Sequence, residues 1–345
     1  MSQPTPSAKP SSATEWLQHG QALEAEHTPE SLARAVAAYE QAVEQLRAPT
    51  DAHQLGIAHM NRGNALQKLS RWDDAVGAYD CAIVSLAPLA ARNLAAANST
   101  GAAWMNRGHA RLLQGGPIAL ADALDSQNAA VARLQTLPLE QHPAHRLNLA
   151  GAWINRAQIL LAVQPPDAAE AQANASSAIE LLLPMERTLP PAAELSLKGH
   201  HVLCASLALR LRAGVNAELV SETGDAIDGA MNLIRHWEQQ HPGAFRPLAV
   251  GLYHFGAGFY LTHQPQFLAE FLLETIDPAN TAGAIPNDPA LHEIASQALA
   301  RAQADIYNHL LAAPAGDNAA RLQEIAANLV EAESRRTALL TNFTA

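Results

Sequence analysis

The sequence predicts an all-α protein, an α-solenoid of stacked antiparallel helix pairs, and three observations lead there. Ala and Leu dominate an apolar fraction of 48% while aromatics supply only 5%, so helix propensity is high and strand propensity low. A motif restates itself: AHMNRGNAL at 58–66 returns as AWMNRGHAR at 103–111 and AWINRAQIL at 152–160. The repetition also keeps step. Aligned on the small residue inside each motif, Gly20, Gly63, Gly108, Ala157, Ala205 and Gly256 follow at intervals of 43, 45, 49, 48 and 51 residues, and self-similarity at such a period marks an array of stacked supersecondary units.

Taken in order, residues 1–12 are Ser/Pro-rich without the apolar run of a signal peptide and are expected to form a disordered tail. Residues 13–275 are expected to hold about six helix pairs, each unable to bury its apolar stripe without its neighbours. Trp16, His59, Trp104, Trp153, His201 and Leu252 stand four residues before the aligned small residues, on the first helix of each pair. Turns at LSRWDD (69–74), LQGGP (113–117) and VQPPD (163–167) separate first from second helices. The second helices carry small-large-small spacing, Ala35-Tyr39-Ala42 and Ala75-Tyr79-Ala82. Gly63 and Gly108 each cost about 1 kcal/mol against Ala in mid-helix, which makes sense where the second helix crosses too closely for a side chain. Residues 276–289, rich in Pro, Asn and Gly, read as a loop, and 290–345 as a C-terminal capping helix pair at 290–313 and 317–341. The stretch 245–271 holds five of the six Phe and two of the five Tyr, and reads either as a packed end of the core or as a surface for a partner.

Residues 59–82, with His59, Gly63, Leu66, Ala75, Tyr79 and Ala82, resemble a tetratricopeptide repeat. The units at 16–42, 104–130 and 153–179 match progressively less, those near 201 and 252 rest on register and a few small residues, and the intervals exceed the usual repeat of about 34 residues. The resemblance implies a superhelix with a concave binding groove, and it implies that asparagines on the first helices hold a peptide's main chain.

Helical geometry puts Asn106 about 160° from the stripe of Trp104, Gly108 and Arg111 that faces the partner helix. Asn61 and Asn155 share that register, so the three are expected to form a ladder on the concave wall, accompanied by Asn64, Lys68, His109 and Gln158. Ile57, Ala102 and Gly151 would keep its floor shallow, and Met60, Met105, Ile154 and Leu161 would supply apolar pockets. A primary amide pairs with both N–H and C=O of an extended peptide; it can equally bond to the adjacent helix of its own array. Arg62, Arg107 and Arg156, one residue further round, read as structural, their stems on apolar surface and their heads reaching water or an acid such as Asp73 or Asp74. A clamp for acidic chaperone tails is not expected. Asn64 and Asn106 fit its two asparagines, but Met60, Gly151 and Asn155 stand where its cations belong.

The net charge of -11, with no cluster of Lys or Arg, argues against nucleic acid as a partner, and no apolar run is long enough to span a membrane. Cys81 and Cys204 lack metal-type spacing and fit a reducing compartment, the cytoplasm. His142 and His145 are separated by Pro143 and are not expected to share a face, and His200 and His201 are adjacent and point apart, so no metal is expected. FGAGFY at 255–260 lacks the third glycine of a dinucleotide fingerprint, and no phosphate loop or nucleophile elbow is present. The expectation is therefore a non-catalytic scaffold without cofactor, binding a partner protein or peptide. The alternatives are a self-associating structural protein, forming a homo-oligomer through 245–271, and a helical-repeat enzyme with an unfamiliar site.

Overall fold

In the computed structural model, which describes residues 10–46, 49–277, 285, 288–312 and 317–344, proline and small polar caps set where the helices begin. The order is α1 (Ala13–Glu24), α2 (Pro29–Gln45), α3 (Ala52–Lys68), α4 (Trp72–Ala90), α5 (Leu94–Gln114), α6 (Pro117–Leu134), α7 (Pro143–Ala162) and α8 (Ala168–Leu182). It continues with α9 (Pro190–Ala213), α10 (Ala217–Gln240), α11 (Arg246–His263), α12 (Pro265–Ile276), α13 (Pro289–Ala312) and α14 (Asp317–Thr344). Pro at the first helical position loses no hydrogen bond, since that N–H has no partner in the helix. Elsewhere side chains cap the free amides: Ser12 accepts from the Glu15 N–H, Thr28 and Ser31 form a capping box, and Asn93 and Asn216 accept from the N–H groups of Ala96 and Leu219. No strand occurs among the described residues. Ser12 caps the first helix where the tail was expected to end; residues 1–9 of that tail, and 278–284 and 286–287 of the expected loop, lie outside the described residues.

The chain divides into two units, Met1–Leu181 and Leu182–Ala345, and the boundary falls inside the expected array of 13–275. In the N-terminal unit α1 packs on α2, α3 on α4, and α5 on α6, and each second helix packs on the first helix of the next pair. The first helices α1, α3, α5 and α7 also touch one another in order, whereas α2, α4 and α6 share no comparable contact among the described residues.

Close approach inside each pair depends on glycine. A Cβ added at Gly20 would lie 2.5 Å from the Tyr39 ring, one at Gly63 2.6 Å from the Tyr79 ring, and one at Gly101 2.5 Å from Leu134. Tyr39, Tyr79 and Leu134 are all 0% exposed, and full burial of a large side chain contributes about 1.5–3 kcal/mol. The third pair departs from this pattern. Against Gly108 lies Gln127 in place of a tyrosine, its Nε2 donating to the Met105 carbonyl at 2.9 Å while its Oε1 is buried without a partner.

In the C-terminal unit α11 is central and touches α9, α10, α12 and α13, and α13 pairs with α14. Gly256 lies directly under Phe271, which stacks on Tyr253 at 5.3 Å and meets Tyr260 at 4.8 Å between ring centroids. The Tyr253 hydroxyl donates to the Leu272 carbonyl at 2.9 Å. Of the aromatic stretch 245–271, then, Tyr253, Phe259, Tyr260 and Phe271 are core, and Phe267 is 46% exposed.

Two residues allow the units to be probed separately. Gly63→Leu is expected to cost about 3 kcal/mol by overpacking and to remove native-state hydrogen-exchange protection from α3 and α4 while α9 to α14 keep theirs. In the C-terminal unit, burial holds the His200 imidazole neutral and lowers its pKa from 6.5 to about 4, the Nδ1 contact to the Ala226 carbonyl at 3.1 Å opposing that shift. The unfolded chain binds this proton first, so the contribution is complete above pH 6.5 and is lost as pH falls toward 4, by up to about 3 kcal/mol. Urea unfolding between pH 7 and 4 is expected to show this slope, and His200→Gln to flatten it.

Candidate interaction surface

The seven candidate residues fall on three first helices of the N-terminal unit. Asn61, Asn64 and Lys68 are on α3, Asn106 and His109 on α5, and Asn155 and Gln158 on α7. Asn64 and Asn106 meet directly: the Asn106 Nδ2 donates to the Asn64 Oδ1 at 3.1 Å. The same oxygen accepts the Tyr79 hydroxyl at 2.8 Å, and that hydroxyl also reaches the Gln67 Oε1 at 3.2 Å. Gln67 in turn bonds through its Nε2 to the His109 Nδ1 at 2.8 Å. Lys68 pairs with Glu24 at 2.8 Å, and the second Glu24 oxygen accepts the Tyr39 hydroxyl at 2.9 Å. A chain of polar contacts thus links α1, α3 and α5, and Asn148 donating to Asn98 at 2.9 Å extends the connection between first helices to α7.

The last members of the set stand outside this chain. Asn155 and Gln158 are partly exposed, and their side chains make no hydrogen bond among the described residues. The Asn61 Nδ2 is buried without a partner, an arrangement that leaves a desolvated donor unsatisfied. Among the residues expected to form apolar pockets, Ile154 is 2% exposed and is part of the core, because α7 turns that position inward; Met60 and Met105 pack on hydrophobic clusters from the edge.

The arginines of the repeated motif bracket successive pairs. Arg107 reaches back to Asp80 on α4 at 2.8 Å and forward to Asp122 and Ser126 on α6 at 2.5 and 2.6 Å. Arg156 does the same, to Asn128 on α6 at 2.8 Å and to Glu170 and Asn174 on α8 at 2.6 and 3.1 Å. Arg62 pairs with Glu40 on the preceding second helix at 3.0 Å. Its acid is therefore neither Asp73 nor Asp74, since Arg71 holds Asp74 and Arg111 holds Asp73. Burial pulls the Asp122 pKa up, but the hydrogen bonds and charges of Arg107 and Arg111 outweigh it and hold the carboxyl below the usual carboxylate range. The asparagines and the arginines of one motif, one residue apart, thus serve different neighbours.

Glu24, Gln67, Asn98 and Asn148 belong to the polar wall and were missed in the sequence. Gln67 could have been found three residues after Asn64, on the same helix face; Asn98 and Asn148 lie outside the repeated words. His142 and His145 correct an expectation, since their rings lie 4.7 Å apart. Pro143 starts α7 and does not interrupt it, which leaves His142 as the cap residue folded over the first turn. Among the described residues no three of His, Cys, Asp and Glu converge as a metal-binding group, and no helix is long and apolar enough to cross a membrane.

No protein-family model matches the chain, and comparison with curated proteins likewise gives no match.

Asn61 offers a test of its unsatisfied amide. Asn61→Ala gains helix propensity of about half a kcal/mol and removes a buried unpaired donor, so the urea midpoint of the N-terminal unit is expected to rise. A fall would mean that the amide has a partner in the free protein.

Proposed function

We propose that the protein is a non-catalytic scaffold of the tetratricopeptide kind that receives a segment of a partner protein along the first-helix face of its N-terminal unit. The observation that carries this reading is the pair of partly exposed amides, Asn155 and Gln158, without internal hydrogen bonds, on the face where Asn64 and Asn106 are already joined. Each such amide presents two donors and an acceptor, the complement of an extended backbone. The layering supports the same reading. First helices that touch, beside second helices that share no comparable contact among the described residues, are what a stack curved toward its first helices produces. In this reading the Lys68–Glu24 pair and the amide contacts fix the spacing of α1, α3 and α5, and α7 supplies the groups that remain for a ligand.

Self-association through 245–271 has less to draw on, because most of those rings are buried in their own unit. A reducing compartment, the cytoplasm, is part of the proposal and rests on two cysteines that are both free, Cys81 exposed and Cys204 buried.

The experiment is an affinity purification with quantitative mass spectrometry, comparing the wild type with Asn155→Ala combined with Gln158→Ala. Neither side chain makes an internal bond, so the melting temperature is expected to stay within about 2 °C, consistent with surface changes of about 0.5 kcal/mol or less, while captured partners fall at least fivefold. Unchanged capture would remove the groove from this face.

A further inference from the structure

The first helices of the C-terminal unit, α9, α11 and α13, carry a trough of a different chemistry. A cavity of about 460 Å³ lies between α9 and α11 and another of about 210 Å³ between α11 and α13. His254 and Gly258 line both, so the two join across α11. Leu211, Phe255 and Ile294 make its walls apolar, and Arg212 and Arg301 stand at its two sides. Among the described residues no carboxylate lines either cavity. Arg212 and Arg301 are exposed, and neither has an ion pair among the described residues. Glu293, one turn from Gln297 in the lining, is engaged by that amide at 2.6 Å.

This cationic character runs against the rest of the chain, whose net charge is -11. The helix α11 contains no Asp or Glu at all. The second helices α10 and α12 hold the acid: Glu218, Glu222, Asp225, Asp228 and Glu238 on α10 and Glu270 and Glu274 on α12, against the single Arg235. Charge is therefore sorted between the helices of the α9–α10 and α11–α12 pairs, though not of α13–α14. Two unpaired guanidinium groups flanking an apolar floor match a ligand with carboxylates flanking an apolar stripe, since desolvated Arg–carboxylate pairs orient a partner and steer its approach. Gly258 is exposed at the centre, where an added Cβ would meet nothing within 4 Å, so the floor there is open backbone that a ligand side chain can approach.

We propose that this trough binds an acidic amphipathic helix of a partner protein, with the apolar stripe of that helix on Leu211, Phe255 and Ile294 and its carboxylates on Arg212 and Arg301. The proposal goes beyond the N-terminal amide wall. It uses the other unit and side-chain charge in place of backbone pairing, so either site can fail while the other stands.

The test is fluorescence anisotropy on the full chain with a labelled synthetic helix carrying Leu at i, i+3, i+4 and i+7 and Glu at the other positions, beside a control in which every Glu is Lys. The acidic helix is expected to bind at least tenfold more tightly than the control, and more weakly as salt rises from 50 to 300 mM. Arg212→Glu with Arg301→Glu is expected to lower its affinity at least tenfold. Gly258→Leu, whose Cβ meets no neighbour within 4 Å and whose side chain fills the floor, is expected to do the same, with far-UV circular dichroism unchanged in both. Equal binding of the two peptides, or full binding by the charge-reversed variant, overturns the proposal. A concentration-dependent dimer in sedimentation velocity that Gly258→Leu abolishes also overturns it, by giving the trough to a second copy of the chain.

Discussion

The contact between a glycine on a first helix and a large side chain on the second is the constraint from which the N-terminal unit follows. Gly20 against Tyr39 and Gly63 against Tyr79 let the rings lie on helical backbone, and no other residue permits that approach. Once the ring is there, its hydroxyl emerges on the far side, where Glu24, or Asn64 and Gln67, accept it. Those acceptors then reach the neighbouring first helix through Lys68, Asn106 and His109. Packing inside one pair thus determines which polar groups join the pairs to one another.

The motif arginines complete the arrangement from the opposite side. Arg107 and Arg156 each touch the second helix before and the second helix after their own, bridging second helices that share no contact comparable to that of the first helices among the described residues. Exposed ion pairs contribute little individually, but Arg107 is half-buried and held by two carboxylates and a hydroxyl, and hydrogen bonds to charged groups are worth about 1.5–3 kcal/mol each. Two residues that read as one word in the sequence, Asn-Arg, therefore divide the work of joining helix pairs between the first helices and the second helices.

Helix pairs, their turns and the close-packed glycines were legible because each is a local matter of propensity, punctuation and spacing. The turns at 69–74, 113–117 and 163–167 fall between α3 and α4, α5 and α6, and α7 and α8, and the C-terminal helices begin and end within a few residues of their expected bounds. The side-chain partners were less legible, since they depend on rotation between helices far apart in sequence. That is why Glu40 was not foreseen for Arg62, or Gln67 for His109. The division at Leu181 and Leu182 was hidden for a related reason. The small-residue register continues through it, and register reports where helices sit in the chain, not how densely they touch. Of the candidate wall, the helices that carry the asparagines were legible, while the joining of Asn64 to Asn106 depends on a distance between helices that no single-helix projection contains.

Gln127 carries its own consequence. Its sealed carbonyl oxygen raises the energy of the closed third pair, and water relieves it on opening, so the gap between shut and breathing forms narrows at α5 and α6. The adjoining turn, Gly115 and Gly116, both at positive φ, supplies a ready hinge. An opening of this pair would expose the stretch beside Asn106 and His109, so any molecule gripping that stretch would clamp the seam shut.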